Sequence, residues 1–161
     1  MTQLSISLLV NGEPRTVLAE PRTSLADMLR NDLLLTGTHV GCEHGVCGSC
    51  TVLVDGEPVR ACLMLAVQAQ ARTVTTIEGL ADDQVGRAVQ EAMRSMHAFQ
   101  CGFCTPGFLT TVTALLRESD GLLTREAIRE HLAGNLCRCS GYEPIVDAVQ
   151  AAQANLADSA R

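Results

Sequence analysis

Eight cysteines are the residues of this chain most suited to chemistry, because they fall into two sets of four with none left over. The first set has three thiols separated by four and two residues, followed by a fourth: Cys42, Cys47, Cys50 and Cys62. The C-x4-C-x2-C run is the plant-type spacing for a [2Fe–2S] cluster. Glycines at positions 41, 45 and 48 would let the backbone wrap closely around such a cluster. A structural zinc site and unligated core thiols are the competing interpretations, but zinc sites usually pair two C-x-x-C units.

The second set joins two closely spaced pairs, Cys101 with Cys104 and Cys137 with Cys139. The first pair stands just before a predicted helix, where the positive end of the helix dipole favours thiolates. The second pair stands between two predicted helices, in a segment flanked by glycines. Both pairs can therefore meet at one end of a helical unit and hold a second metal centre. A [2Fe–2S] cluster and a zinc ion are both candidates for it.

The first half of the chain has the pattern of a small sheet. Residues 3–10 alternate and predict a strand, Asn11-Gly12 predicts a tight hairpin turn, and residues 16–19 predict the return strand. Ser24 is a suitable N-cap for a short helix. Two further strands are predicted at 51–54, turning at Asp55-Gly56, and at 73–77. This order predicts an α+β domain of the β-grasp kind over residues 1–78.

The second half has helical periodicity instead, over residues 84–97, 107–118, 125–133 and 144–156. Pro106 and Pro144 suit the first turn of a helix, and Thr124 suits an N-cap. Four short helices predict a C-terminal four-helix bundle domain over residues 84–158.

Composition narrows the class of protein. The 161-residue chain has a net charge of −6 and a pI of about 5.1, which argues against a nucleic-acid partner. No apolar run reaches the roughly 20 residues that a membrane span needs. The start, MTQLSISLLV, lacks the basic region of an export signal, so a cytoplasmic location is predicted. In the cytoplasm, cysteines more often bind metal than form disulfides.

Taken together, the cysteine segments resemble the small iron–sulfur subunit of the molybdenum hydroxylases, the family of xanthine dehydrogenase, aldehyde oxidase and carbon monoxide dehydrogenase. The matching stretches occur in order along nearly the whole chain: GCEHGVCGSCTVLVDG, ACL at 61–63, TTIEGL, QCGFCTPGF and GNLCRCSGY. The resemblance implies a β-grasp ferredoxin-like domain, a four-helix domain and two [2Fe–2S] clusters. It implies that the first cysteine set holds an outer cluster facing a flavin and the second holds an inner cluster near molybdenum.

The resemblance also implies partners. Electrons would pass from a molybdenum pterin cofactor on a large subunit, through both clusters, to FAD on a medium subunit. Gln100 and Cys139 would lie against the pterin, and no catalytic residue is expected on this chain. The expected assembly is a heterotrimer or a dimer of heterotrimers.

Two other functions compete with this one. A free-standing soluble two-cluster ferredoxin would carry the same cysteines but would not need a helical domain around the second cluster. A zinc-stabilised binding module would contain no iron. Exposed apolar surface on the helical domain would favour a permanent subunit over a ferredoxin shuttle.

Overall fold

A five-stranded mixed sheet forms the first half of the computed structural model, which describes residues 2–159. The strands are β1 Leu4–Val10, β2 Glu13–Ala19, β3 Thr51–Val54, β4 Glu57–Arg60 and β5 Thr73–Thr75. Their order across the sheet is β2-β1-β5-β3-β4. The β1–β5 pair is parallel, and the other three pairs are antiparallel. With the helices of the second half, this gives the mixed α+β architecture that the sequence predicts.

Two tight turns set the register of the sheet, and both are predicted correctly. Asn11 and Gly12 have φ of 52° and 82°, and Asp55 and Gly56 have φ of 54° and 93°. Two successive residues with positive φ match the right-handed twist of a hairpin, which is why Asn-Gly and Asp-Gly favour this turn. Strand β4 has little strand propensity of its own, and the second turn imposes its pairing with β3. Its proline, Pro58, is tolerated because β4 is an edge strand.

One short helical segment packs against the sheet. The predicted cap is present, since the Ser24 hydroxyl accepts a hydrogen bond from the Asp27 amide at 3.0 Å. Helix α1, Leu25–Asp27, continues as a π-helical turn over Met28–Asp32. This segment buries Leu25, Met28 and Leu29 in the core of the first half.

Four longer helices follow: α2 Gln84–Ser95, α3 Thr105–Glu118, α4 Arg125–Leu132 and α5 Glu143–Ser159. Each lies within three residues of its predicted bounds. Pro106 stands in the first turn of α3, and the Thr124 hydroxyl caps α4 by accepting from the Ala127 amide at 3.2 Å. Among residues 2–159, no helix has the length and apolar character that crossing a membrane requires.

Strand β3 connects the two halves because both of its faces are buried. Val52 and Val54 face the core of the first half, while Leu53 belongs to the core formed by the helices, with Phe108. Helix α3 therefore packs directly on the sheet. Because Cys50 immediately precedes β3 and Cys104 immediately precedes α3, this packing brings the two cysteine sets to the same side of the molecule.

Candidate iron–sulfur sites

The first cysteine set forms two thiol pairs on a loop that leads into β3. The Cys47 amide points at the Cys42 sulfur, with 3.5 Å between nitrogen and sulfur. Cys50 is buried, with 2% of its surface exposed, and its thiol is hydrogen bonded to that of Cys62. The Ala61 amide donates to the Cys50 carbonyl at 3.2 Å, which holds the two chain segments of this second pair together.

Hydrogen bonding and burial give these thiols different acidities. Backbone N–H groups of Cys47 and His44 lower the pKa of Cys42 to about 6. Burial raises the pKa of Cys62 to about 11, and its hydrogen bond with Cys50 adds to the rise. Amides aimed at a sulfur stabilise the thiolate, which is the form that binds metal. The loop backbone therefore supplies the donors that a negatively charged cluster needs.

The second set also divides into two pairs, at the amino end of α3. Cys101 and Cys139 are exposed, and their sulfurs are 3.5 Å apart. Cys104 and Cys137 are half-buried and hydrogen bonded to each other. The Cys137 sulfur also accepts from the Ser140 amide at 3.4 Å. The structure thus brings all four residues of each predicted set together as two pairs.

The acidities within the second set follow the same pattern as those of the first. Burial, together with the hydrogen bond that its thiol donates to Cys137, raises the pKa of Cys104 to about 12. Burial also opposes ionisation of Cys137, but the hydroxyl and amide of Ser140 outweigh it and lower its pKa. The Phe103 amide lowers the pKa of Cys101, whereas hydrogen bonding to Cys101 raises the pKa of Cys139.

The pairing of the thiols can be compared with the donors that a single metal ion and a [2Fe–2S] cluster need. Within residues 2–159, no three His, Cys, Asp or Glu side chains stand close enough to surround a single metal ion. A [2Fe–2S] cluster takes two cysteines at each iron, so two pairs per set match its donor requirement. The two pairs of the first set are also close enough to influence each other electrostatically, because the charge of Cys42 contributes to the raised pKa of Cys62. The residues present therefore fit a two-iron cluster at each set.

Gln100 stands beside the exposed pair of the second set. Its side-chain amide nitrogen donates to the carbonyl of Cys139 at 3.1 Å. The two residues predicted to lie against a pterin are thus in contact with each other, on an exposed part of the surface. Apolar side chains around them are exposed as well, including Phe103 at 47% and Leu136 at 49%.

A direct backbone contact links the two cysteine sets. The Leu136 amide donates to the Cys47 carbonyl at 2.9 Å. Cys47 is a member of the first set, and Leu136 stands directly before Cys137 of the second. The close approach depends on Gly48, where a Cβ would lie 2.7 Å from the Gly134 carbonyl oxygen. A second contact stacks the rings of His39 and Phe103 with centroids 4.9 Å apart.

Sequence reasoning missed a group of polar residues at this contact. The Arg60 guanidinium donates to the Gly134 carbonyl at 2.6 Å and to the Thr51 hydroxyl. Asn135 is buried and donates to the Gly48 carbonyl at 3.3 Å. Their proximity in sequence to cysteines was the only signal available, since Arg60 and Asn135 are 75 residues apart.

Comparison with known proteins finds two matching family models. The model described as "2Fe-2S iron-sulfur cluster binding domain" matches residues 8–73, and the one described as "[2Fe-2S] binding domain" matches residues 76–150.

Individual relatives match over almost the whole chain. Caffeine dehydrogenase subunit gamma of Pseudomonas sp. strain CBB1 is 51% identical, over 93% of this chain and 91% of its own length. The nicotine 6-hydroxylase small subunit of Paenarthrobacter nicotinovorans is 52% identical, over 91% of this chain and 88% of its own. The crystal structure of quinoline 2-oxidoreductase from Pseudomonas putida 86 matches with a TM-score of 0.91 and 48% identity, over 98% of both chains.

Proposed function

Because the chain belongs to the family of small iron–sulfur subunits of the molybdenum hydroxylases, we propose that it is the electron-transfer subunit of such an oxidoreductase complex. It conducts electrons from a molybdenum pterin cofactor on a large subunit to FAD on a medium subunit. The observation that carries this proposal is the presence of two four-thiol sites joined by the hydrogen bond from the Leu136 amide to the Cys47 carbonyl. A bonded connection of this kind couples two redox centres better than a gap would.

We assign the outer [2Fe–2S] cluster to the first cysteine set and the inner cluster to the second. The ligands of the outer cluster are Cys42, Cys47, Cys50 and Cys62, and those of the inner cluster are Cys101, Cys104, Cys137 and Cys139. When bound, each cluster accepts and releases one electron at a time. The thiol pairing and the amides directed at Cys42 and Cys137 support this assignment.

The protein around each site tunes and protects it. Hydrogen bonds to sulfur from amides such as those of Cys47 and Ser140 stabilise the added negative charge of the reduced state and raise the reduction potential. Burial of Cys50 limits the access of water to one side of the outer site. No residue of this chain binds or converts the substrate, which is the task of the large subunit.

The exposed end of the second site is the proposed contact with the large subunit. There, Gln100 and Cys139 lie against the pterin, and the Gln100 side chain keeps its carbonyl oxygen available as an acceptor. The exposed apolar side chains of Phe99, Phe103 and Leu136 would be covered by that subunit. Exposed apolar groups around a redox centre favour this permanent subunit over a free-standing two-cluster ferredoxin.

The proposal also covers the domains of the chain and the composition of the complex. Residues 1–78 form the ferredoxin-like domain, although residue 1 lies outside the described residues, and residues 84–158 form a four-helix bundle domain. Two separate apolar cores support this division. The complex is a cytoplasmic heterotrimer or dimer of heterotrimers.

Metal analysis of the complex tests the function. The protein is purified with its copurifying subunits and analysed for Fe, Mo and Zn, and its reduced form is examined by electron paramagnetic resonance (EPR). The proposal expects about four irons per chain, two at each cluster, together with molybdenum and two distinct [2Fe–2S] signals. Iron without molybdenum would support the ferredoxin instead. Zinc without iron would refute electron transfer altogether.

A further inference from the structure

Four residues form a closed ring of hydrogen bonds between the two cysteine sets. Arg60 donates to the Thr51 hydroxyl, and that hydroxyl donates to the Gly48 carbonyl at 2.6 Å. The Asn135 side-chain amide donates to the same carbonyl at 3.3 Å. Arg60 closes the ring by donating to the Asn135 side-chain oxygen at 3.4 Å, and it also donates to the Gly134 carbonyl. We call these residues, Gly48, Thr51, Arg60 and Asn135, the intersite ring.

The intersite ring contacts both sites through short stretches of chain. Thr51 follows Cys50 directly, and Arg60 stands two residues before Cys62. On the other side, Asn135 stands two residues before Cys137. The guanidinium therefore bonds to residues that lie within three positions of a cysteine in each of the two four-thiol sets.

The hydrogen-bond partners of Arg60 do not neutralise its charge. Its partners in the ring are neutral oxygens, and within residues 2–159 no Asp or Glu forms an ion pair with it. The Arg60 residue is also half-buried, so salt screens its charge less than that of an exposed arginine. A positive charge in this position acts on both sites.

We propose that Arg60 favours the reduced state of both clusters through its charge, and so lowers the cost of holding an electron on both clusters at once, where two negative centres repel each other. This inference rests on the proposed function, because it assumes a [2Fe–2S] cluster at each set. A cluster with four thiolates is negatively charged, and reduction by one electron makes it more negative. A nearby positive charge therefore raises its reduction potential, and the intersite ring keeps the guanidinium in place.

The size of the effect follows from Coulomb's law. For a separation on the order of 10 Å and an effective dielectric constant of about 20, one charge changes a one-electron equilibrium roughly tenfold. A tenfold change corresponds to about 59 mV for a one-electron couple. Both clusters should shift in the same direction, since the guanidinium bonds to residues beside both cysteine sets.

The test measures the reduction potentials of both clusters by EPR-monitored titration of the purified complex. In Arg60→Met, the side chain keeps its apolar stem but loses its charge, and both potentials should fall by about 59 mV, the tenfold change. In Arg60→Lys, the charge remains while the ring is broken, and most of the shift should be recovered. Thr51→Val breaks the ring at another point with the charge retained and should also shift the potentials less than Arg60→Met.

The control variant is Arg72→Gln. Arg72 pairs with Asp55 at the turn of the β3–β4 hairpin, at the opposite end of the hairpin from the cysteines, and its loss should leave both potentials unchanged. The inference is overturned if Arg60→Met shifts neither reduction potential by at least about 18 mV, which is a twofold change in the reduction equilibrium. It is also overturned if Arg60→Lys shifts the potentials as much as Arg60→Met, since geometry rather than charge would then be the cause. Absence of two [2Fe–2S] signals from the unmodified complex would instead refute the proposed function.

Discussion

Replacement of Gly107 by alanine tests whether the close contact between the two halves is essential. Gly107 lies in the first turn of α3, and a Cβ there would be 2.2 Å from the Gly48 carbonyl oxygen and 3.0 Å from the Ser49 Cα. Both neighbours are backbone atoms, so no side-chain rotation can relieve the overlap. Helix α3 and the first cysteine loop must move apart.

The expected cost combines three contributions. Alanine is the better helix former by about 0.8–1 kcal/mol, which favours the variant. Overpacking a close contact costs about 1–3 kcal/mol. The Gly48 carbonyl accepts hydrogen bonds from the Thr51 amide and hydroxyl and from the Asn135 side chain, and each one lost costs about 0.5–1.5 kcal/mol. With one hydrogen bond lost, the net loss of stability is about 0.5–3.5 kcal/mol.

Urea unfolding of the iron-loaded chain under anaerobic conditions, followed by far-UV circular dichroism, measures this cost. With a urea slope of about 2 kcal/mol per molar, the midpoint should fall by about 0.25–1.75 M. The EPR spectrum of the reduced protein provides a second measurement, because magnetic coupling between the two clusters weakens as the halves separate.

Gly121→Ala is the matched control. A Cβ at Gly121 meets no atom within 4 Å, and Gly121 does not have a positive φ. Its replacement should be neutral or stabilise the chain by about 0.4–1 kcal/mol through the unfolded state. If Gly107→Ala proves as stable as the unmodified chain, with unchanged coupling, the contact argued from the structure is wrong.

Three further predictions concern single residues. Burial opposes ionisation of Asp83, but its ion pair with Arg117 at 2.8 Å and the Gly86 amide outweigh burial and lower its pKa. The ion pair therefore stabilises the fold above the ordinary carboxyl pKa of 3.8 and is lost as the pH falls through the lowered value. Asp83→Asn should cost about 0.5 kcal/mol in urea unfolding at pH 7, and the cost should shrink as the pH is lowered toward the ordinary carboxyl pKa and below it; a cost that does not change with pH would contradict this. Arg138→Ala should lower the reduction potential of the inner cluster by less than about 59 mV, which is a tenfold change in the reduction equilibrium, because solvent screens this exposed arginine. An unchanged potential would exclude a role for its charge. Cys104→Ser should abolish the inner-cluster EPR signal and turnover while the outer signal remains, and full turnover with both signals would refute the ligand assignment.

Much of the fold is predictable because it depends on neighbouring residues. Asn11-Gly12 and Asp55-Gly56 form their predicted turns since only these residue types tolerate two successive positive φ values. Ser24 and Thr124 cap their helices through hydrogen bonds that span three residues. Strand β4 escaped prediction because its pairing comes from the preceding turn rather than from its own residues. The π-helical turn after α1 likewise reflects packing against the sheet.

The candidate sites were likewise predictable in part from local sequence and in part only from the tertiary structure. The sequence by itself determined the closely spaced thiols, such as Cys101 with Cys104 and Cys137 with Cys139, since short spacings show which thiols can share a metal centre. Only the tertiary structure decided how the thiols pair, as with Cys101 and Cys139, 38 residues apart. It also decided that Arg60 would bond to residues beside both sites, including Asn135, 75 residues away. Such contacts arise when the two-sided burial of β3 draws the helices onto the sheet, and no local pattern encodes them.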